Sequence, residues 1–424
     1  MLNRLAVITC TILTILFCTQ TVRGCSMCKI TVDGKTIVGN NEDSWATNPI
    51  LWFETSDDYF DVAYLGQQSN DDLQGAINET GLVFDAFLVN PSEKQTGSIH
   101  PNKSAFLRRI MQNCKSVRDV KRLIEEEEKW LYYMGMLWFI DPSGESLIVE
   151  PDTMILENES YTALSNFKPS EYQDQSKIPL SRYHKAMKLM STGAKPTPEF
   201  CTAVMDTMHA CRGSLGEGTL YTSVYDLEEK QVHFYFYHDF STPVVIDLLA
   251  EFKKGDHLIL LPELFPPNKE YQKLLNYKTP FNSRATYSMM ISCFIIALLL
   301  SFYLFIHLTA ALIKNRTKAL NIESLFVGVL IATNALICIL IPLLLLRQPV
   351  FYFGISGSLR SFPFTQIEYA PLLIAFVSIP LMAWVFSSLR KRRGFSLYSA
   401  SITINALILM ITTGFNFYWG LIIP

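Results

Sequence analysis

The sequence predicts an α+β domain of antiparallel sheets covered by helices, followed by an all-α region of four membrane-spanning helices. Three observations support this prediction. Short strand patterns occur in pairs around turn dipeptides, amphipathic helical patterns lie between the pairs, and the last third of the chain contains long apolar runs. The mean hydropathy of +0.20 over 424 residues is high for a protein without membrane segments.

The chain begins with a pattern typical of a secretory signal peptide. Arg4 gives a positive start, residues 5–17 are apolar, and the small residues Val22 and Gly24 suit a cleavage site. The apolar run is shorter than the roughly 20 residues that cross a bilayer, which disfavours an uncleaved anchor. We therefore predict a signal peptide over residues 1–24.

Residues 25–265 form the predicted α+β domain. The clearest hairpin signal is Asp33-Gly34, a dipeptide that favours the type I′ turn between antiparallel strands. Further hairpins are predicted for residues 74–78 with 82–88, 136–140 with 146–149, and 220–226 with 231–237. Helical patterns are predicted at 103–113, 116–128, 179–190 and 198–211.

A segment rich in Pro, Asn and Lys, residues 266–286, is predicted to link this domain to a membrane region at 287–424. Charged residues cluster in the first and third connecting loops of that region, which predicts that these loops are cytoplasmic and that the domain is periplasmic or extracellular. The charges are Lys314, Arg316 and Lys318 in one loop and residues 390–393 in the other. The predicted spans are 287–313, 325–346, 370–389 and 397–422.

The composition and the residue spacing disfavour some classes of partner and ligand. The net charge of −3 and the absence of a basic stripe argue against nucleic acid, and the seven histidines show no metal-binding spacing. We therefore expect no metal and no cofactor. Acidic and basic side chains are absent from the four spans, so a membrane anchor in contact with lipid is favoured over a transporter.

Cleavage after Gly24 would leave Cys25 with a thiol and a free α-amine. The amine has a pKa of about 7.7 to 8.0 and the thiol about 8.5, so one can take the proton of the other near neutral pH. A nucleophile and its base then come from a single residue. This chemistry suits attack on an amide carbonyl.

Several motifs, in order along the chain, resemble those of the cysteine amino-terminal nucleophile (Ntn) hydrolases. That group includes choloylglycine hydrolases, penicillin V acylases and isopenicillin N acyltransferases. The motifs are residues 25–27, 33–43, 75–82, 164–167, 181–183 and 218–226. The resemblance spans Cys25 to about Pro243 and implies an αββα sandwich of antiparallel sheets.

The resemblance also implies roles for the residues that match. Cys25 would be the nucleophile and, through its amine, the base. Asp43 would hold the amine or thiol in position, and Asn166 would donate to the oxyanion of the tetrahedral intermediate. Arg182 would favour the thiolate or pair with Asp43. The substrate would be a small-molecule acyl amide, cleaved at a linear carbon–nitrogen bond or transferred to another amine.

The chain departs from the choloylglycine hydrolases beside the nucleophile. Those enzymes have arginine where this chain has Asn40, so bile-salt hydrolysis is not expected. We expect Asn40, Asn41 and Asn90 to contact substrate, although Asn90 lies two residues later than the second oxyanion asparagine of the bile-salt enzymes.

Alternatives remain open for Cys25. With Cys28 it has the C-x-x-C spacing of a disulfide or redox pair, and residues 22–25 approach a lipoprotein cleavage box. Cys201 and Cys211 are predicted on one helix, too far apart to bridge. The alternative of a different class is an inactive membrane-tethered binding or sensor module on the same fold.

Overall fold

The computed structural model describes residues 24–68, 70–89, 103–126, 135–212, 217–314, 322–358, 365–391 and 396–422. Residues 1–23 of the predicted signal peptide and the candidate Asn90 lie outside these residues. The described chain forms two compact units, one ending at Tyr277 and one beginning at Lys278.

The first unit is an α+β domain of two antiparallel sheets. Its strands are β1 (Ser26–Val32), β2 (Lys35–Ser44), β3 (Pro49–Glu54), β4 (Val62–Gln67), β5 (Asn70–Asn78), β6 (Val83–Leu88), β7 (Gly135–Ile140), β8 (Ser146–Val149), β9 (Met154–Glu157), β10 (Tyr161–Leu164), β11 (Cys211–Arg212), β12 (Glu217–Asp226), β13 (Gln231–Phe236), β14 (Asp239–Asp247) and β15 (His257–Leu260). Its helices are α1 (Lys103–Asn113), α2 (Val117–Glu126), α3 (Ser181–Ser191), α4 (Pro198–Met208), α5 (Leu248–Phe252) and α6 (Lys269–Asn276).

The hairpin of β1 and β2 has the turn that the sequence predicts. Asp33 and Gly34 have φ angles of 52° and 82°, the positive pair that a type I′ turn requires. Val32 pairs with Lys35, and the register continues to Ser26 opposite Asn41. The other three predicted hairpins are confirmed as β5–β6, β7–β8 and β12–β13.

The four predicted helices are confirmed, with α2 and α3 beginning one and two residues later than predicted and a larger change at the end of α4. The predicted helix 198–211 ends at Met208, because His209 has extended backbone angles and Cys211 joins strand β11 opposite Gly218. Cys201 and Cys211 therefore do not share a helix. Strand pairing overrides the helical pattern in the last turn.

Two sheets face each other between two layers of helices. One sheet has the order β10-β1-β2-β12-β13-β14, with β11 paired to β12, and the other runs β15-β3-β4-β5-β6-β7-β8-β9. Helices α3 and α4 pack on the first sheet, whereas α1 and α2 pack on the second. Contacts between the sheets include Lys29 Nζ, which donates to the Gly144 carbonyl at 2.5 Å.

The second sheet and its helices share an apolar core. Phe84 and Phe139 project from the sheet and meet Phe106, Ile110 and Val120 from α1 and α2. Each such side chain contributes roughly 1.5–3 kcal/mol when it is fully buried. This core fixes the position of β6, which carries a site residue on its opposite face.

Part of the predicted linker 266–286 is folded against the first unit. The α6 residue Tyr271 donates its hydroxyl to the Thr47 carbonyl, and the Asn268 amide donates to the Tyr237 carbonyl at 3.0 Å. Asn268 also caps α6 by accepting from the backbone of Glu270 and Tyr271.

The second unit is helical. Its helices are α7 (Arg284–Lys314), α8 (Ile322–Leu346), α9 (Val350–Ser358), α10 (Ala370–Lys391) and α11 (Leu397–Tyr418). Four helices within the described residues are long and apolar enough to cross a membrane, which indicates a membrane-associated protein. Asn334 of α8 donates to Asn405 of α11 at 2.5 Å, so these two amides connect helices.

Gly39 provides a test of the packing between the first sheet and α4. A methyl group added here would lie 2.5 Å from Met205 Cγ and 2.8 Å from Cys201 Sγ. Gly39→Ala should therefore lower the free energy of unfolding of the first unit by about 1–3 kcal/mol, as overpacking does in other cores. Denaturant unfolding followed by tryptophan fluorescence would measure this change. Gly328→Ala in α8 is the control, because no described atom beyond its chain neighbours and the backbone of its own helix lies within 4 Å of the added methyl. Equal stability of both variants would contradict the prediction.

Candidate active site

The candidate nucleophile lies at the start of β1, on the side that faces the second sheet. Extending the β1–β2 register by one residue from Ser26 and Asn41 brings Cys25 opposite Glu42. The Cys25 thiol donates to Glu42 Oε2 at 3.0 Å, and both side chains are buried. The two-residue turn thus places a carboxylate against the thiol.

A second carboxylate reaches the thiol from the other sheet. Asp85 of β6 is buried and accepts a hydrogen bond of 2.5 Å from the Asn40 side-chain amide. Ligand atoms of Cys25, Glu42 and Asp85 all lie within 4.8 Å of one another. We refer to these three side chains as the acidic cluster.

Burial controls the protonation of the acidic cluster. Removal from water raises the pKa of Glu42 to about 7 and raises that of Asp85 well above its usual value. Burial also raises the pKa of the Cys25 thiol, and the negative charges of Glu42 and Asp85 raise it further. Near neutral pH the cluster therefore holds protons, and the resting thiol is not a thiolate.

The acidic cluster could supply one sulfur and two oxygen ligands to a divalent cation. The sequence predicts no metal site, and the spacing of these residues along the chain resembles no metal motif. Without a cation, the two carboxyl groups bind protons, because burial raises the pKa of each.

Three other predicted catalytic residues form a hydrogen-bonded group at the end of β2 and the start of α3. Arg182 donates to Asp43 at 2.9 Å and to Asn166 Oδ1 at 2.7 Å. Thr219 donates to the other Asp43 oxygen at 2.6 Å. Burial raises the pKa of Asp43, whereas Arg182 lowers it. The Arg182 guanidinium therefore connects Asp43 and Asn166 through hydrogen bonds.

Gly24, the residue before Cys25, lies against the Asn166 side chain of this group. A methyl group added at Gly24 would lie 2.6 Å from Asn166 Oδ1, so a larger residue here would require the Asn166 side chain to move. The Asn166 amide donates to the Leu88 carbonyl at 2.8 Å, and Ser165 donates to the Cys25 carbonyl at 3.2 Å. The residue before the nucleophile therefore fills the space beside Asn166.

The structure brings together Cys25, Asp43, Asn166 and Arg182, and it places Asn40 beside the acidic cluster. It does not bring Asn41 there. Asn41 lies on the opposite face of β2, where it donates to the Met205 carbonyl at 2.9 Å and accepts from Thr222 at 2.6 Å. Its contacts hold β2 to α4 and β12.

Sequence reasoning missed Glu42 and Asp85. Glu42 could have been found, because the Asp33-Gly34 turn fixes the register and hence the residue opposite Cys25. Asp85 carries no comparable local signal. It reaches the thiol only because β6 belongs to the sheet that packs against β1 and β2.

No protein-family model matches the chain, and no curated protein matches it. Among solved structures, the chain is similar to penicillin V acylase from Agrobacterium tumefaciens, with 15% identity, a TM-score of 0.41, and coverage of 53% of this chain and 86% of that one. It is also similar to a variant of conjugated bile acid hydrolase from Clostridium perfringens, at 17% identity and a TM-score of 0.42, covering 57% and 97% of the two chains. The chain is also similar to the Caenorhabditis elegans ortholog of N-acylethanolamine-hydrolyzing acid amidase, with 11% identity and a TM-score of 0.36. The match covers 48% of this chain and 92% of that one.

The acidic cluster predicts how the thiol titrates. Glu42→Gln and Asp85→Asn should each lower the apparent pKa of Cys25, because each removes a negative charge that disfavours the thiolate. The measurement is the pH dependence of Cys25 alkylation in the full chain, followed by peptide mass spectrometry. Glu150→Gln changes a buried carboxyl group that hydrogen-bonds Ser170 instead, so it should leave the profile unchanged. An unaltered profile in both cluster variants would refute this electrostatic description.

Glu42 also predicts how stability depends on pH. Burial raises the pKa of Glu42 in the folded state to about 7, above its usual value of 4.5, so the folded state binds this proton more tightly than the unfolded state does. Stability should therefore fall as pH rises from about 4.5 to about 7, by at most about 1.4 kcal/mol per pH unit from this group. Denaturant unfolding across this range should give a flatter dependence for Glu42→Gln than for the wild type. A slope that Glu42→Gln leaves unchanged would contradict the assignment.

Proposed function

We propose that the protein is a membrane-anchored, extracytoplasmic cysteine amidase or acyltransferase. It acts on a small-molecule acyl amide through a thioester on Cys25. The observation that carries this proposal is the convergence of residues distant in sequence: Cys25 and Gly24 lie beside the hydrogen-bonded Asp43, Arg182 and Asn166. The motifs that resemble Ntn hydrolases assign catalytic roles to the same residues.

The reaction begins with removal of the leader after Gly24. The freed α-amine of Cys25 accepts the thiol proton, and the sulfur attacks the amide carbonyl. The tetrahedral intermediate collapses to a thioester as the amine product leaves with a proton. Water or a second amine then releases the acyl group and regenerates the thiol.

Asn166 and Arg182 support this reaction from the other side of Cys25. Loss of Gly24 frees the space beside the Asn166 amide, whose Nδ2 can then turn from the Leu88 carbonyl to the oxyanion. Such a donor is worth about 2.7–4 kcal/mol in other enzymes. Arg182 holds Asp43 and the Asn166 oxygen, and so orients the donor.

The membrane placement rests on the helices and the loop charges. The four apolar helices would anchor the protein in lipid, and the basic first and third loops would face the cytoplasm. The domain before them would then be outside the cytoplasm. A cleaved signal peptide gives the same orientation.

One observation favours the alternative of an inactive binding or sensor module. In the full chain, the raised pKa of Cys25 and its burial between two carboxyl groups disfavour the nucleophilic thiolate. The amidase proposal requires that processing changes this state. The mature amino terminus therefore separates the two functions.

The first test is amino-terminal mass spectrometry of protein purified from its native membrane, followed by a screen of acyl amides. We expect a free Cys25 at the amino terminus and a substrate-derived mass increase on its peptide after acid quenching. Cys25→Ala should abolish turnover, and Cys114→Ala, which removes another buried thiol, should retain it. A retained leader, a lipid on Cys25, or turnover in Cys25→Ala would contradict the mechanism.

Asn166 has its own expected effect. Asn166→Ala should reduce kcat by about 10²–10³-fold, because an oxyanion donor acts mainly in the transition state. Steady-state kinetics on a substrate found in the screen would measure this, with circular dichroism to verify folding. A change in KM alone would indicate a binding role instead.

A further inference from the structure

A second thiol pair lies on the other face of β1. Cys28 Sγ and Cys201 Sγ are 3.6 Å apart although 173 residues separate them in sequence. Both cysteines are fully buried, and both are free thiols in this structure. Cys28 projects from β1 toward α4, whereas Cys25 projects toward the second sheet, so the two residues of the C-x-x-C motif face opposite ways.

Gly39 makes this close approach feasible. It lies directly opposite Cys28 in the β1–β2 ladder, and a methyl group here would lie 2.8 Å from Cys201 Sγ. A larger residue would push α4 away from the strand. The glycine therefore leaves room for the Cys201 side chain to reach Cys28.

We propose that Cys28 and Cys201 form a disulfide in the exported protein. A sulfur–sulfur bond is about 2.05 Å long, so closure needs a displacement of about 1.5 Å shared by two side chains. Burial and the adjacent Cys28 both disfavour the thiolate of Cys201, and the bond removes both thiols from titration. This inference depends on the extracytoplasmic placement but not on amide cleavage.

The oxidant is a disulfide donor of the kind that oxidising compartments contain. As the chain folds, the thiolate of one cysteine attacks the donor disulfide and releases one donor thiolate. The thiolate of the other cysteine then attacks the protein sulfur of the mixed disulfide and releases the second donor thiolate. Two protein thiols are oxidised, one donor disulfide is reduced to two thiols, and the protons pass to the donor sulfurs.

The bond would join the strand of the nucleophile to α4. It would close a loop of more than 170 residues, and long loops give the largest entropic effect on the unfolded state. The same helix already accepts a hydrogen bond from Asn41 of β2 at the Met205 carbonyl. The disulfide would thus secure both strands of the hairpin to one helix.

Peptide mapping of the wild-type full chain tests this proposal without any variant. The protein is purified from its membrane without reductant, unfolded in the presence of N-ethylmaleimide, digested and analysed by mass spectrometry. We expect a cross-linked peptide pair that contains Cys28 and Cys201, while Cys114 carries the alkyl group. Alkylation of both Cys28 and Cys201, or a bond from Cys28 to Cys25 or Cys211, would overturn the proposal.

A second measurement separates the bond from a chance proximity of thiols. Reductant should lower the Tm of the wild type by several degrees and leave the Tm of the Cys28→Ser/Cys201→Ser double variant unchanged. Cys114→Ser is the matched control and should keep the response of the wild type. An equal Tm for the wild type with and without reductant would contradict a structural disulfide. A mapped bond in a protein without amidase turnover would refute the proposed function and leave this inference intact.

Discussion

The register of the first hairpin determines the rest of the site. Asp33 and Gly34 adopt the positive φ angles of a two-residue turn, and every pair along β1 and β2 follows from that turn. Alternation then sends Cys25 toward the second sheet and Cys28 toward α4. Strand alternation therefore places the proposed catalytic thiol and the thiol pair of the proposed disulfide on opposite faces of β1.

Burial is the main reason that the thiol is neutral in this state, and the distribution of positive charge does not oppose it. Arg182 contacts Asp43 and Asn166, so its charge lies with that group. The acidic cluster has the neutral Asn40 as a hydrogen-bond donor. An amide can orient a carboxylate but cannot compensate its charge, and the carboxyl groups bind protons instead. In the proposed mature form, the α-ammonium of Cys25 would be the cation nearest to them.

Local signals predicted much of the fold. The Asp33-Gly34 turn, three further hairpins and the starts of the helices follow from turn chemistry and hydrophobic periodicity. The roles expected for Asn166 and Arg182 come from a family resemblance rather than from any local pattern, and the hydrogen bond between these two side chains was not predicted. The position of Asp85 depends on how two sheets pack, which periodicity within a strand does not encode. Strand alternation places Asn41 on the face of β2 opposite Glu42, where it contacts α4 and β12 instead of the acidic cluster.

The fit between Gly24 and Asn166 has a consequence for when the protein can act. While the leader is attached, the chain's own backbone fills the space in which the proposed reaction would bind an acyl oxygen. In a newly made chain, Gly24 would then block the proposed oxyanion site. In the proposed pathway, the cut that releases the protein from its leader also empties the site, so export and onset of activity become a single event. Cytoplasmic amides would never meet a competent nucleophile.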